Sequence, residues 1–166
     1  MKKVVIILTL LFPLIVYTQS VPTKKEQYDF LKWAIKSEDL RYMIMETDLF
    51  TITDLGTGDK TTLDYLKVNS KEKAYFAKQI KYNAAHRVLD STMLPGIHLQ
   101  EALSDETRFT RIAMPIFSTN KRMIFLKYYY RSGGSERARI NIYLTDKNGK
   151  WFYSHIQAFP TMDGME

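Results

Sequence analysis

The stretch from Arg137 to Thr145 restricts the fold more than any other, because its side chains alternate with a period of two. Ala138, Ile140, Ile142 and Leu144 fall on one side, and Arg137, Arg139, Asn141 and Tyr143 on the other. Only an extended strand places every second residue on one face. Asn148-Gly149 follows, a dipeptide suited to the left-handed backbone of a hairpin turn, so Lys150 to Phe159 is predicted to return as the next strand. Upstream, Arg122 to Arg131 reads as a long aromatic-rich strand that turns at Ser132-Gly133-Gly134-Ser135. Thr107 to Phe117 makes one strand more, interrupted near Pro115 and followed by a turn at Ser118-Thr119-Asn120-Lys121. Proline has no N–H for a ladder, so the interruption points to an edge position or a bulge. The last third of the chain is thus predicted to be four consecutive antiparallel strands.

The first half reads differently. Thr23-Lys24-Lys25-Glu26 is a capping box, and Tyr28, Leu31, Ala34 and Ile35 follow at helical spacing, with Phe30 and Trp33 widening the stripe. A helix to about Lys36 is expected. Leu40 to Ile52 fits neither period and is assigned a helix end followed by a short strand. Gly56 and Gly58 mark Asp54 to Lys60 as a loop, and Thr61 to Val68 as a helical turn beyond it. A helix capped by Ser70 should run from Lys71 to about Ala85, with Ala74, Ala77, Ile80 and Ala84 inward and Phe76 beside them. Asp90 to Leu103, with Pro95-Gly96, reads as a loop holding one short extended piece. The expectation is an α+β domain in which N-terminal helices pack on one face of a four-stranded antiparallel meander.

The opening residues bear on compartment. Met1-Lys2-Lys3 is cationic, Val4 to Val16 is almost wholly apolar, and small or polar residues begin at Thr18. This is the layout of a secretion signal. The apolar run is shorter than the about 20 residues of a spanning helix, so cleavage is favoured over anchoring. A cut before Gln19 or before Val21 would fit, which divides the chain into a signal at 1–20 and a single domain at 21–166. The chain has no cysteine, which excludes a lipoprotein and any disulfide. Core burial must then supply the stability of the domain, and about 146 residues suffice to bury roughly 68–70% of the unfolded surface. A periplasmic or secreted location follows, with no stable membrane span after cleavage.

Charge is unevenly spread. The whole chain carries +6, but Val21 to Glu106 is net −2 and Thr107 to Phe159 is net +8. Basic character belongs to the strand-rich half.

Pro115-Ile116-Phe117-Ser118, the strand ending Tyr128-Tyr129-Tyr130, and Asn148-Gly149-Lys150-Trp151 resemble, in order and spacing, a group of uncharacterised exported proteins of Gram-negative bacteria. The helix around Gln79-Ile80 is similar to theirs as well. The likeness covers the second half of the chain and implies compartment and fold; the group brings no established activity. Its members often carry a cysteine- and glycine-rich turn after the aromatic strand. Here that turn is Arg131-Ser132-Gly133-Gly134-Ser135.

No catalytic motif is legible. His86, His98 and His155 lack metal-ligand spacing, and no thiol can join them. The sequence has no Gly-x-Ser-x-Gly. The acidic pairs Glu38-Asp39 and Asp105-Glu106 sit at element boundaries, where carboxylates cap helices or stay solvated. Gly56-x-Gly58 and Gly133-Gly134 read as turns. No cofactor, no metal and no catalytic residue is assigned.

One surface stands out. With Ile124, Leu126, Tyr128 and Tyr130 placed on the core side beside Ile140 and Ile142, the residues Lys127, Tyr129, Arg131, Arg137, Arg139 and Tyr143 should point outward together. Asn141 belongs with them, and Trp151, Tyr153 and His155 would continue the face. Guanidinium groups among tyrosines hold anions and rings by charge-assisted bonds and stacking, and these residue types dominate protein interfaces. The plain alternative is a solvated sheet face whose charges serve solubility and guard its edges. The expected partner is an acidic protein or an anionic envelope polymer, with an inhibitor or immunity-type role as one form of such binding. Nucleic acid fits the charge but not the compartment. Two other readings stay open: a small enzyme or ligand binder with a cone-shaped pocket, as in the nuclear-transport-factor-2-like fold, and a structural envelope component. The oligomeric state stays open too.

Overall fold

The structure is a computed structural model that describes residues 20–38, 44–46, 66–86, 88–100, 109–132 and 135–154. The predicted signal, the Asp54–Lys60 loop and the strand continuation past Ser154 lie outside the described residues.

Helix α1 (Lys24–Ser37) begins where the capping box places it: the Thr23 hydroxyl accepts from the Glu26 amide, and the Glu26 carboxylate accepts from the Thr23 amide at 2.9 Å. Its buried face holds Gln27, Tyr28, Phe30, Leu31, Ala34 and Ile35. The second helix, α2 (Ser70–Ala84), starts one residue earlier than expected, because the N-cap is Asn69 and not Ser70; the Asn69 side chain accepts from the Glu72 amide at 2.9 Å. Its buried face also differs from the expectation. Tyr75, Phe76 and Gln79 are buried, whereas Ala74, Ala77 and Ala84 are exposed. Turning the large rings inward removes more apolar area from water than an alanine stripe could.

The strands are β1 (Ile44–Glu46), β2 (Leu99–Gln100), β3 (Phe109–Ile112), β4 (Ile116–Phe117), β5 (Met123–Ser132), β6 (Ser135–Thr145) and β7 (Trp151–Ser154). They form one sheet in the order β2-β1-β3-β5-β6-β7, with β4 also on β5. Strands β3 to β7 pair antiparallel, while β1 and β2 join in parallel. The domain is therefore α+β. The sheet exceeds the predicted four strands in two ways: the short pieces β1 and β2 extend it, and the Pro115 strand is split in two.

That split is a bulge. Ile112 stands opposite Tyr128 and Ile116 opposite Phe125, so three residues on one strand face two on the other. Pro115 sits inside it, where no ladder N–H is needed. The extra residue resets the side-chain phase. Ile112 and Met114 enter one hydrophobic cluster, and Ile116 enters the other.

Those two clusters occupy opposite faces of the sheet. On one, Tyr28, Phe30, Leu31, Ala34 and Ile35 of α1 meet Ile124, Leu126, Tyr128 and Tyr143. On the other, Tyr75 and Phe76 of α2 meet Ala113, Ile116, Phe125 and Ile142. The Phe30 ring packs edge-on against Tyr143 at 5.2 Å, and the Phe76 ring against Phe125 at 5.3 Å. Described core thus lies on both sides of β5 and β6, not on one.

The outer edge of β4 is completed by a side chain. Gln79, fully buried, accepts from the Phe117 amide at 2.9 Å and donates to the Phe117 carbonyl at 2.7 Å. A glutamine amide carries the donor and the acceptor that a neighbouring strand would offer. It also ties α2 to the sheet. The β6–β7 connection is a turn closed by the Asp146 carboxylate, which accepts from the Asn148 and Lys150 amides, with Gly149 at φ +79°. Among the described residues, no helix is long and apolar enough to cross a membrane.

Candidate functional site: the tyrosine–arginine rim at the end of α1

Where α1 ends, its C-cap Glu38 meets the sheet face that carries Tyr128, Asn141 and Tyr143. The Tyr143 hydroxyl donates to Glu38 Oε1 at 3.0 Å, and Asn141 Nδ2 lies 3.4 Å from the same oxygen. Asn141 Nδ2 also reaches the Tyr128 hydroxyl at 3.2 Å and the Tyr143 hydroxyl at 3.3 Å. All three sheet residues are buried, so these polar atoms depend on one another for partners.

Burial pushes the Tyr143 phenol far above the usual tyrosine range, and the Glu38 carboxylate beside it adds to the shift. Tyr128 is raised by burial first and by Glu38 second, against the lowering effect of its bond to Asn141 and the charge of Arg139. Both phenols therefore keep their protons at neutral pH. They serve as hydrogen-bonding groups, not as bases.

Around this buried network lies a rim. Arg139, exposed, holds its guanidinium 5.7 Å from the centroid of the Tyr130 ring, within cation–π range. Tyr153, half-buried, packs against Tyr143 at 5.7 Å. Trp33 and Trp151 lie 5.6 Å apart, and Trp33 also packs edge-on against Tyr143 at 5.6 Å.

The six residues expected to share one outward face do not share it. Partners directly opposite in a ladder lie on the same side of a sheet. Tyr128 stands opposite Arg139 and Tyr130 opposite Arg137, whereas Lys127 stands opposite Ile140, Tyr129 opposite Ala138, and Arg131 opposite Glu136. Arg137, Arg139 and Tyr143 accordingly belong to the α1 side. Lys127, Tyr129 and Arg131 belong to the α2 side, with Arg111 opposite Tyr129. Tyr143 is fully buried, so it forms part of the floor and is not a contact surface. Lys127, Tyr129 and Arg131 are half-buried and engaged with other groups.

The error is one of parity, and the sequence held its remedy. A turn that pairs Ser132 with Ser135 leaves two residues between them and sets odd positions of β5 opposite even positions of β6. Reading Ile140 and Ile142 as the core stripe hid this, because Asn141 and Tyr143 also face a core. Glu38, Tyr130 and Trp33 join the site with no sequence signal that assigns them to it. Glu38 looked like a solvated helix-end acid, and nothing local announces its contact with residues more than a hundred positions away.

Among the described residues, no three His, Cys, Asp or Glu side chains gather closely enough to hold a metal ion. No protein-family model, curated protein or solved structure matches the chain.

Proposed function

We propose that this chain is an exported, non-enzymatic binding protein that holds an acidic protein or an anionic envelope polymer through the rim of Arg139, Tyr130 and Tyr153. One observation carries the reading: an exposed guanidinium lies within cation–π range of a tyrosine ring beside a hydrogen-bonded floor of neutral hydroxyls. The ring beside it restrains the guanidinium, so less freedom is lost when a carboxylate or phosphate docks on its fork. Arg137 holds a register position on the same side of the sheet. Support for export comes from the Lys2-Lys3 and Val4–Val16 pattern and from the resemblance to exported Gram-negative proteins.

The opposite faces allow a controlled test. A tagged protein is used to capture partners from its own envelope fraction, beside variants reversed in charge on each side. Arg137→Glu with Arg139→Glu should abolish capture, and Lys127→Glu with Arg131→Glu should retain it. The opposite pattern assigns binding to the α2 side, and unchanged capture by both variants removes the sheet from the interface. N-terminal sequencing of the native protein tests export: a chain beginning at Met1 in the cytosol overturns it.

A further inference from the structure

Away from the rim, a cleft of about 310 Å³ opens between the start of α1 and the end of α2. Lys24, Gln27 and Tyr28 line it from α1, and Tyr82, Asn83 and His86 from α2 and the residues just after it, with Val88 and Met114 adding apolar wall. We propose that this cleft binds a small molecule bearing a carbonyl or carboxylate oxygen on a flat apolar body.

The donor chemistry comes from Asn83. Its Oδ1 accepts from Gln27 Nε2 at 3.1 Å, which fixes the amide orientation, while its Nδ2 is buried just behind the wall with no hydrogen-bond partner among the described residues. A buried N–H left unmade is costly, so a side-chain shift that presents it to an acceptor in the cleft is favoured, and one that presents it to a second donor is not. Lys24 supplies a second donor on the same wall. Its ammonium is held at 2.6 Å by Asp90 and lies 5.8 Å from the Tyr28 ring centroid, and an ammonium with one partner keeps protons for another.

The flat apolar body is called for by the opposite wall. The Tyr82 ring stacks on the His86 ring with centroids 4.5 Å apart, and His86 is held in place through Nδ1, which donates to the Tyr82 carbonyl at 2.9 Å. Tyr82 is 43% exposed and Val88 67% exposed, so water now covers apolar surface that a ligand would cover instead. The volume matches the lower range of small-molecule sites.

The test uses nuclear magnetic resonance on the purified protein with three probes of one size: benzoate, benzamide and benzylamine. Benzoate and benzamide should shift the Asn83 side-chain amide and the Tyr82 and His86 ring signals; benzylamine, which offers no acceptor, should not. Asn83→Asp exchanges the donor for an acceptor and should reverse the preference. Val88→Glu, at an exposed position that folding does not need, should weaken benzoate at least tenfold with an unchanged melting temperature. Absence of shifts with all three probes overturns the proposal, as does an equal response to all three in both parent and Asn83→Asp. Arg139→Glu should leave the benzoate response intact, which separates this site from the rim.

Discussion

Replacing Gln79 probes the join between α2 and the sheet. In Gln79→Leu the side chain keeps its approximate volume, but the Phe117 amide and carbonyl lose their bonds of 2.9 and 2.7 Å. Gln79 and Phe117 are both buried, so water does not replace what is lost. Two backbone groups left unmade at roughly 1–3 kcal/mol each, less about 1 kcal/mol regained by burying an apolar side chain, predict a loss of roughly 1–5 kcal/mol. Urea unfolding followed by the fluorescence of Trp33 and Trp151 would read this as a midpoint lowered by about 0.5–2.5 M at an unchanged slope of about 2 kcal/mol per M. Gln79→Glu sharpens the test. Its protonated carboxyl can still donate to the Phe117 carbonyl and accept from the amide; its ionised form cannot donate and is buried as a charge. Burial would raise the folded pKa above the unfolded value of about 4.3, so the variant should approach parental stability below that pH. Stability should then fall as pH rises through the folded pKa. A Gln79→Leu variant within about 0.5 kcal/mol of the parent, or a Gln79→Glu variant indifferent to pH, would refute the view that this amide stands in for a missing strand.

Further outcomes follow from the network and the cap. Tyr143→Phe removes the hydroxyl shared by Glu38 and Asn141 and should cost about 1–3 kcal/mol in the same urea assay. In the parent, the raised Tyr143 pKa means stability is fully present below the unfolded value of about 10 and declines as pH climbs above it. Absorbance at 295 nm should accordingly show Tyr143 ionising only together with unfolding, and early ionisation counts against its burial. Thr23→Ala breaks the capping box of α1 and should cost about 1 kcal/mol, measured by thermal melting, with the Trp33 environment unchanged in the folded state.

How far the fold was legible depended on the range of the signal. The capping box at Thr23 and Glu26, the interruption at Pro115 and the hairpin at Asn148-Gly149 each act within four residues, and each stands where the sequence placed it. The strand at Ile44–Glu46 and the extended piece at Leu99–Gln100 fall within the stretches assigned to them. Site residues were legible only in part. Arg139 is exposed, in line with the sequence, whereas Tyr143 is buried although its neighbours Ile142 and Leu144 look more apolar than it does. Alternation distinguishes core from solvent only when one face of a strand is wet, and β6 packs against the partners of both helices.

Local elements are written into the chain itself: where helices begin, where strands turn, where a missing N–H forces a bulge. Which face of each element is buried was decided only in three dimensions. The inward phase of α2 came from two rings and a glutamine fitted to β4, and the partners of Glu38 came from the meeting of a helix end with a distant strand. Those choices turn on burial and on completing hydrogen bonds across long separations, and neither is encoded in the spacing of neighbours.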